Sequence, residues 1–372
     1  MNIDLSQIDR EQFMLHEHVV NGEVLTLVQP QHIGCKWTKL NRHLRSSVWN
    51  YAGDLVSAGF PKFVNWGENP DNFSVPTSLE HTTIVGKIDG SLLIVSKYKG
   101  NYIIRTRGTL DATKMDNGHE IETFKSTILN PLTEEPVHKY LMSDSPDSWN
   151  FSLLFEWYSP LNRIVIRYGD SPKWFLVGVV NHEDYSLMRQ DLLNRLANNE
   201  GLNRPPAYTF TTVSDLLVNV NEWTGVEGVC VYSYNDQEIH KCKGDWYLSL
   251  HRMKDALSSY DKVIDVWYEQ GEPSYQEFEL FITNTFDWEL WTQIRGDASR
   301  ICDGAKEVQK ILDGMAEFVL KLRNFPSRKE QALHTISSYG KTNRASFIFK
   351  LLDNKELEKD DRKKLMYQVT KK

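Results

Sequence analysis

Apolar residues recur with a period of two over much of the first two-thirds of the chain and with a helical period near its end. Glu23 to Gln29 alternates as a short strand, and Phe60 to Trp66 reads as an aromatic strand that stops at Gly67, while Leu40 to Asn50 fits neither period well. Thr83 to Tyr98 and Tyr102 to Gly108, joined by Lys99-Gly100-Asn101, form a predicted hairpin with Arg105 and Arg107 on one face. An irregular, helix-capable stretch from 111 to 148 follows. Phe151 to Pro160 is then an apolar strand interrupted by the single acid Glu156. Arg163 to Tyr168 alternates, and Trp174 to Val180 is almost wholly apolar, as in a central sheet strand. Residues 182 to 222 read as helical, broken at Asn203-Arg204-Pro205-Pro206 and restarting near an N-cap at Ser214. Val226 to Tyr232 and Glu238 to Lys243, with Asn235-Asp236 between them, are a second predicted hairpin.

After His251 the period changes. Ala305, Val308, Ile311, Leu312, Met315, Phe318, Val319 and Leu322 recur at steps of three and one, the stripe of an amphipathic helix. The expected organisation is a mixed α and β domain over residues 1–254 and a helical domain over 255–372.

Composition narrows the class. A chain of 372 residues with 40% hydrophobic content can bury a substantial core. No apolar run approaches the roughly 20 residues of a membrane span, and no signal-peptide pattern is present, so a cytoplasmic protein without membrane contact is expected. The four cysteines, Cys35, Cys230, Cys242 and Cys302, lack CxxC spacing, which predicts a reducing compartment and no structural zinc. The net charge is −7, yet residues 321 to 372 hold 14 Lys and Arg against 6 Asp and Glu, a balance of +8 that leaves −15 for the remainder. A basic end on an acidic chain suggests a polyanionic partner, although the mixed signs of Lys355 to Lys364 also suit a solvated helix face.

Candidate chemistry centres on Lys87-Ile88-Asp89-Gly90-Ser91, a lysine at a tight turn leading into a buried strand. A buried lysine beside other cations loses proton affinity and becomes a nucleophile able to attack phosphorus; equally, Asp-Gly is a common turn dipeptide that often follows a solvated lysine. Lys241 and Lys243 lie two apart on a strand, so their ammonium groups share one face and repel unless an anion lies between them. Arg45 and Lys62 sit among apolar neighbours, as snorkelling edge residues or as phosphate clamps. Glu156 is costly in its apolar strand without a partner, which an ion pair with Arg163 or Arg167 could supply.

Five of these segments stand in a telling order. Lys87-Ile-Asp-Gly-Ser91, Phe155-Glu156-Trp-Tyr-Ser-Pro160, Trp174 to Val180, Val226-Glu227-Gly228-Val229 and Lys241-Cys-Lys243 resemble the nucleotidyltransferase motifs shared by ATP-dependent ligases and mRNA capping enzymes. Within that superfamily the chain is most similar to the phage T4 type of RNA ligase, the RNA ligase 1 family. Flanking features carry this: Arg45 in Leu-Arg-Ser-Ser-Val, Lys62-Phe-Val-Asn65 before Glu68-Asn69-Pro70, Pro160-Leu-Asn-Arg-Ile-Val, and Lys243-Gly-Asp-Trp-Tyr-Leu-Ser-Leu-His251. Arg107 departs from the pattern, standing where the family more often has lysine. The helical period after His251 also differs from the oligonucleotide-binding barrel that DNA ligases and capping enzymes append.

The resemblance implies an α+β fold: a nucleotidyltransferase (ATP-grasp-like ligase) core of antiparallel sheets with helices, followed by an all-helical C-terminal domain. It implies that Lys87 attacks the α-phosphate of ATP to form lysyl-AMP and that Gly86 borders the nucleotide. By the same likeness Glu156 grips the ribose, Glu227 serves Mg²⁺ (or Mn²⁺), and Lys241 and Lys243 neutralise the α-phosphate. Arg45, Lys62 and Arg107 would serve the pyrophosphate or RNA phosphates without distinction, and adenine would stack on the Trp174-Phe175 strand. The implied function is ATP-dependent joining of 5′-phosphate and 3′-hydroxyl RNA ends, with nicked tRNA or a stem-loop as partner and a monomeric enzyme. A fungal-type tRNA ligase domain, a capping guanylyltransferase and an inactive RNA-binding relative are the alternatives.

Overall fold

The computed structural model describes residues 1–31, 35–68, 73, 75–112, 136–142, 146–160, 163–257, 259–286, 288–342 and 344–370. Asn69-Pro70, Leu161-Asn162 and most of the stretch 111–148 lie outside the described residues. Two compact units divide the chain, Met1–His251 and Arg252–Lys372.

The first unit carries three sheets. β1 (Phe13–Val20), β2 (Glu23–Pro30), β3 (Ser47–Asn50) and β4 (Leu55–Ala58) form one, in chain order. The remaining strands are β5 (Val64–Asn65), β6 (Thr83–Lys87), β7 (Ser91–Tyr98), β8 (Asn101–Arg105), β9 (Phe151–Tyr158), β10 (Lys173–Asn181), β11 (Ala207–Tyr208), β12 (Gly228–Ser233) and β13 (Glu238–Lys243). They make a second sheet in the order β10-β9-β7-β8 and a third in the order β11-β6-β12-β13-β5. Pairing is antiparallel except between β13 and the short β5, which run parallel.

Both predicted hairpins are present, β7–β8 and β12–β13. Three local readings change. Arg163 to Tyr168 forms no strand; its backbone amides bond a side chain instead of a ladder. The helical stretch 182–222 resolves into α2 (Gln190–Glu200) and α3 (Val213–Glu222), following a short α1 (Pro136–Met142), and the cap of α3 is Thr212, whose hydroxyl accepts from Asp215 N. Leu40 to Asn50 divides into a 3-10 turn over Arg42–Arg45 and β3.

Alternation on the central strands gives the second sheet two buried faces. Phe155, Trp157, Trp174 and Leu176 point to one face and pack with Leu193 and Ala197 of α2. Leu154 and Val180 point to the other, where they meet Trp49 and Ala58 of the first sheet and Val85 and Ile239 of the third. The far face of the third sheet is closed by Leu216 and Val220 of α3.

A fully buried guanidinium stitches these layers together. Arg105 donates from Nε to Ser57 Oγ (2.8 Å), from NH1 to Ser46 Oγ (2.9 Å) and Thr106 O (3.1 Å), and from NH2 to Ser46 O (3.0 Å) and Ser57 O (3.1 Å). All five of its N–H groups are therefore used, as a buried charge without a carboxylate requires. Arg107 lies past the end of β8 and is exposed, so the two arginines do not share a face.

The second unit is helical: α4 (Asp245–Ala256), which crosses the division, α5 (Tyr260–Glu269), α6 (Tyr275–Thr285), α7 (Trp288–Leu322), α8 (Arg328–Tyr339), α9 (Ala345–Leu352) and α10 (Lys359–Thr370). Val308, Met315, Val319 and Leu322 of the stripe are buried on α7. Among the described residues no helix is long and apolar enough to cross a membrane.

Ser57→Ala removes the acceptor of both Arg105 Nε and the Ser96 hydroxyl. It is expected to destabilise the chain by about 1–3 kcal/mol, the usual penalty for leaving a buried donor unpaired. Urea denaturation measures this, and a loss below about 0.5 kcal/mol would show that the guanidinium finds other acceptors.

Candidate active site

The chain passes from the third sheet to the second at Ile88-Asp89-Gly90, between β6 and β7. This corner opens a cavity of about 220 Å³, walled by both sheets. At Gly90 an added Cβ would fall 2.3 Å from the Trp157 carbonyl oxygen and 3.2 Å from Glu156 Cγ, so only glycine lets β7 approach β9 there. Asp89 is buried and spends its carboxylate on structure: Oδ2 accepts from Val165 N (2.7 Å) and Ile166 N (2.8 Å), and Oδ1 accepts from the Tyr247 hydroxyl (2.7 Å). Its own amide donates to the Tyr168 hydroxyl (2.8 Å).

Register brings the sequence motifs into one row. Lys87 on β6 lies opposite Gly228 on β12, and Gly228 opposite Lys243 on β13; Cys230 similarly opposes Lys241. Gly228 has φ +144° and leaves no room for a side chain, since a Cβ would sit 2.0 Å from the Cys242 carbonyl oxygen. Glu227 precedes it, almost fully buried, with Oε2 2.8 Å from Lys87 Nζ and Oε1 2.8 Å from Lys243 Nζ. Glu156 reaches the same cavity from β9.

These contacts correct one expectation. Burial alone would lower the proton affinity of Lys87, but Glu227 and then Glu156 overrule it, and the pKa is raised. The ligand-free chain holds its candidate nucleophile as an ammonium ion. Glu156 is pushed up to about 7 by burial, opposed by Lys87. No ion pair joins Glu156 to Arg167, which pairs with Asp170 at the surface.

Lys241 has no such relief. Its pKa is lowered to about 8 by burial and then by Lys243, Lys87, Arg45 and Lys62, and no carboxylate pairs with it among the described residues. Its ammonium lies 5.6 Å from the Phe63 ring centre, and the Arg45 guanidinium 5.0 Å from the same ring. Burial, then Arg107, lowers Arg45 to about 10. Gly86, Lys87, Arg45, Lys241, Lys243 and Glu156 thus line one cavity, while Lys62 and Arg107 lie outside its walls. A field of cations with too few acids is a site for a polyanion.

The adenine expectation needs correcting. Trp174 points into the core beside Trp157 (5.8 Å) on the opposite face of β10. Phe175 opposes Glu156 in register, but its ring lies against Tyr168 (5.9 Å) and not along the cavity wall. A bulge after Leu176 shifts the strand, so Val177 is the β10 residue that reaches the cavity. Opposite it stand Tyr232 and Ile239. Both were legible by period two from Cys230 and Lys241, whereas the roles of Asp89, Tyr168 and Tyr247 depend on contacts across as many as 158 residues.

A divalent cation also fits, conditionally. Both Glu227 oxygens are engaged by lysines, and the described residues contain no group of three or more metal-ligating side chains. Glu227 could therefore hold Mg²⁺ or Mn²⁺ only by releasing an ammonium, with nucleotide phosphates and water completing the oxygen set.

A corner that only glycine fits, a half-buried lysine held by a carboxylate and a cation-lined cavity between two sheets of a nucleotidyltransferase fold stand together here. The family model for RNA ligase of the T4 RNA ligase 1 type matches residues 42–257, more than half of the chain, and the chain belongs to that family. An inferred bifunctional polynucleotide kinase/RNA ligase of Autographa californica nuclear polyhedrosis virus is 28% identical over 221 residues, 56% of this chain and 30% of that protein. An inferred RNA ligase of Thermovibrio ammonificans is 24% identical over 255 residues, 67% of this chain and 60% of that protein. The chain thus spans less than two-thirds of either relative. A solved archaeal ATP-dependent RNA ligase superposes with a TM-score of 0.42 at 11% identity, over 66% of this chain and 62% of that one.

The electrostatics of Lys241 make anion binding depend on pH. An anion favours the charged form, so binding takes up a proton as pH rises through about 8, and affinity falls above that value. Sulfate, fully ionised throughout, should bind more weakly by about tenfold at pH 9 than at pH 7, and Lys241→Met should flatten the profile. Calorimetric titration checks this; equal sulfate affinity at both pH values in the unmodified chain would place the proton elsewhere.

Proposed function

We propose that this chain is an ATP-dependent RNA ligase that joins 5′-phosphate and 3′-hydroxyl ends through lysyl-AMP and RNA-adenylate intermediates. The observation that carries the reading is the carboxylate of Glu227 held at 2.8 Å between Lys87 and Lys243, beside Lys241, with which no carboxylate pairs among the described residues. A triphosphate entering this cavity meets Lys241, Lys243 and Arg45. Its arrival draws Lys243 toward phosphate oxygen, and Glu227 would then be able to hold the cation that accompanies ATP. With the Glu227 charge turned from Lys87, burial dominates there, its proton passes to solvent, and the amine forms an N–P bond to the α-phosphorus as the bond from that phosphorus to the bridging oxygen breaks and pyrophosphate carries the electron pair away. The divalent cation, Mg²⁺ or Mn²⁺, would supply charge neutralisation and alignment at Glu227.

The adenosine then lies between Val177 on one side and Tyr232 and Ile239 on the other, with Glu156 placed to accept from the ribose hydroxyls. AMP passes to a 5′-phosphorylated RNA end, and a 3′-hydroxyl displaces it. Lys241 and Lys243 stabilise the charge that develops at phosphorus, a contribution typically worth about 3 kcal/mol for one preorganised contact. Cleaved tRNA or another nicked stem-loop suits the helical second unit, whose segment 321–372 carries the +8 balance and supplies phosphate contacts without reading bases. A monomeric protein of the cytoplasm, or of a host cytoplasm for a viral chain, completes the reading.

Incubation with labelled ATP and Mg²⁺ should give a covalent adduct that is acid-labile and base-stable. Lys87→Ala should abolish the adduct and overall sealing, while sealing of pre-adenylylated RNA survives in part. A labelled Lys87→Ala protein would dispose of this reading. Ending the chain at Lys254 should leave adenylylation but remove the preference for nicked tRNA-like substrates over plain single strands, the lost affinity being its salt-sensitive part. Comparing both substrates at two salt concentrations checks this, and an unchanged preference would make the second unit purely structural.

A further inference from the structure

The cations near the site fall into two groups. Arg45, Lys241 and Lys243 line the cavity, whereas Lys62 and Arg107 stand outside it. Lys62 is still electrically part of the cluster: after burial, Arg45 is the main influence holding its pKa down, and Arg107 contributes. On its other side Lys62 Nζ lies 5.7 Å over the ring of Trp37. Trp37 is half-buried and braced edge-on by Phe13 at 5.8 Å.

Trp37 belongs to a segment of unusual charge. From Lys36 to Arg45 the chain holds Lys36, Lys39, Arg42 and Arg45 and not one acid. Lys36 and Lys39 are exposed; Lys39 meets Glu238 only at 3.8 Å, and among the described residues no carboxylate pairs with Lys36 or Arg42. The segment is nevertheless well tied. Thr38 N donates to Asn41 Oδ1 (2.8 Å), Asn41 Nδ2 to Lys36 O (2.9 Å) and Lys36 N to Gln12 Oε1 (3.0 Å). Lys62 N donates to Arg42 O (2.8 Å), joining the segment to the strand that leads into the cavity. Unneutralised cations flanking a braced aromatic ring make a surface for single-stranded nucleic acid, where phosphates meet the charges and a base stacks on the ring.

We propose that Lys36, Trp37 and Arg42 seat the 5′-phosphorylated RNA strand where it leaves the nucleotide cavity, with Trp37 stacking on one of its first bases. The inference rests on the ligase reading, because there the 5′-phosphate must join the AMP phosphate beside Arg45 and Lys241, and the strand must run outward from that point. Lys62 links the two places. In the ligand-free chain its ammonium covers the indole; a phosphate is a stronger partner, draws the ammonium off the ring, and leaves the ring to a base. This separates the tasks of the cations: Arg45 serves the bound nucleotide, and Lys62, Lys36 and Arg42 the strand.

The test uses the full chain. Trp37→Ala should take label from ATP within about twofold of the unmodified protein, yet seal pre-adenylylated RNA with kcat/KM lowered about tenfold through KM; Trp37→Phe should stay within about threefold. The double variant Lys36→Gln, Arg42→Gln, at one exposed and one half-buried cation with no carboxylate partner among the described residues, should reduce the slope of log affinity for a 5′-phosphorylated single strand against log salt by about 1.4, at roughly 0.7 per phosphate contact. Sealing by Trp37→Ala at the unmodified rate, or an equal loss of adenylylation and sealing, overturns the proposal. Should Trp37→Ala fail to fold, the double variant decides, and an unchanged salt slope is fatal to it. A protein that takes no label from ATP at all would instead defeat the ligase reading, which keeps the two failures apart.

Discussion

The turn at Asp89-Gly90 is the constraint on which the rest of the first unit depends. With Ile88 it carries the chain from one sheet to the next in three residues, and Gly90 permits it because the Trp157 carbonyl occupies the place of a Cβ. Asp89 then fixes what surrounds the turn through two backbone amides and the Tyr247 hydroxyl, charge-assisted bonds stronger than neutral ones. Lys87 stands at this corner, so its amine projects into the space between the sheets without depending on a loop. A lysine on a surface turn would have the same neighbours in sequence and none of this environment.

Charge in the site is deliberately unbalanced. Glu227 satisfies two lysines at once, Glu156 is held near neutrality, and Lys241 and Arg45 are left to repel their neighbours. A buried carboxylate with two good partners is stable, and removal of such a partner typically costs about 3–5 kcal/mol because it strands a charge. The ligand-free chain is thus stabilised by the same ion pairs that hold Lys87 as an ammonium ion.

Away from the cavity, Arg105 solves a related problem by different means. Among the described residues it has no counter-ion and is held by hydroxyls and carbonyls, on segments that also carry Arg45 and Arg107; Ser46, one of its partners, donates to the Arg107 carbonyl as well (3.2 Å). The packing that supports Arg45 in the cavity wall and Arg107 outside it is therefore polar and directional, which holds backbone position more sharply than apolar contact does.

The sequence by itself determined the motif order, the hairpins β7–β8 and β12–β13, the helical stripe from Ala305 to Leu322, and the residue types around Lys87. Local period and turn chemistry are properties of neighbouring residues, and they carry over into any compact fold. Tertiary structure alone decided what those residues meet. Period two places Trp174 and Leu176 on one face but does not say that this face is the core, nor that a bulge turns Val177 toward the cavity. A lysine pair two apart announces repulsion, but only the register of β6, β12 and β13 reveals that Glu227 relieves Lys243 and leaves Lys241 exposed to it. The pKa of Lys87 likewise depends on carboxylates 69 and 140 positions away in the chain, brought near by strand pairing that no local pattern encodes.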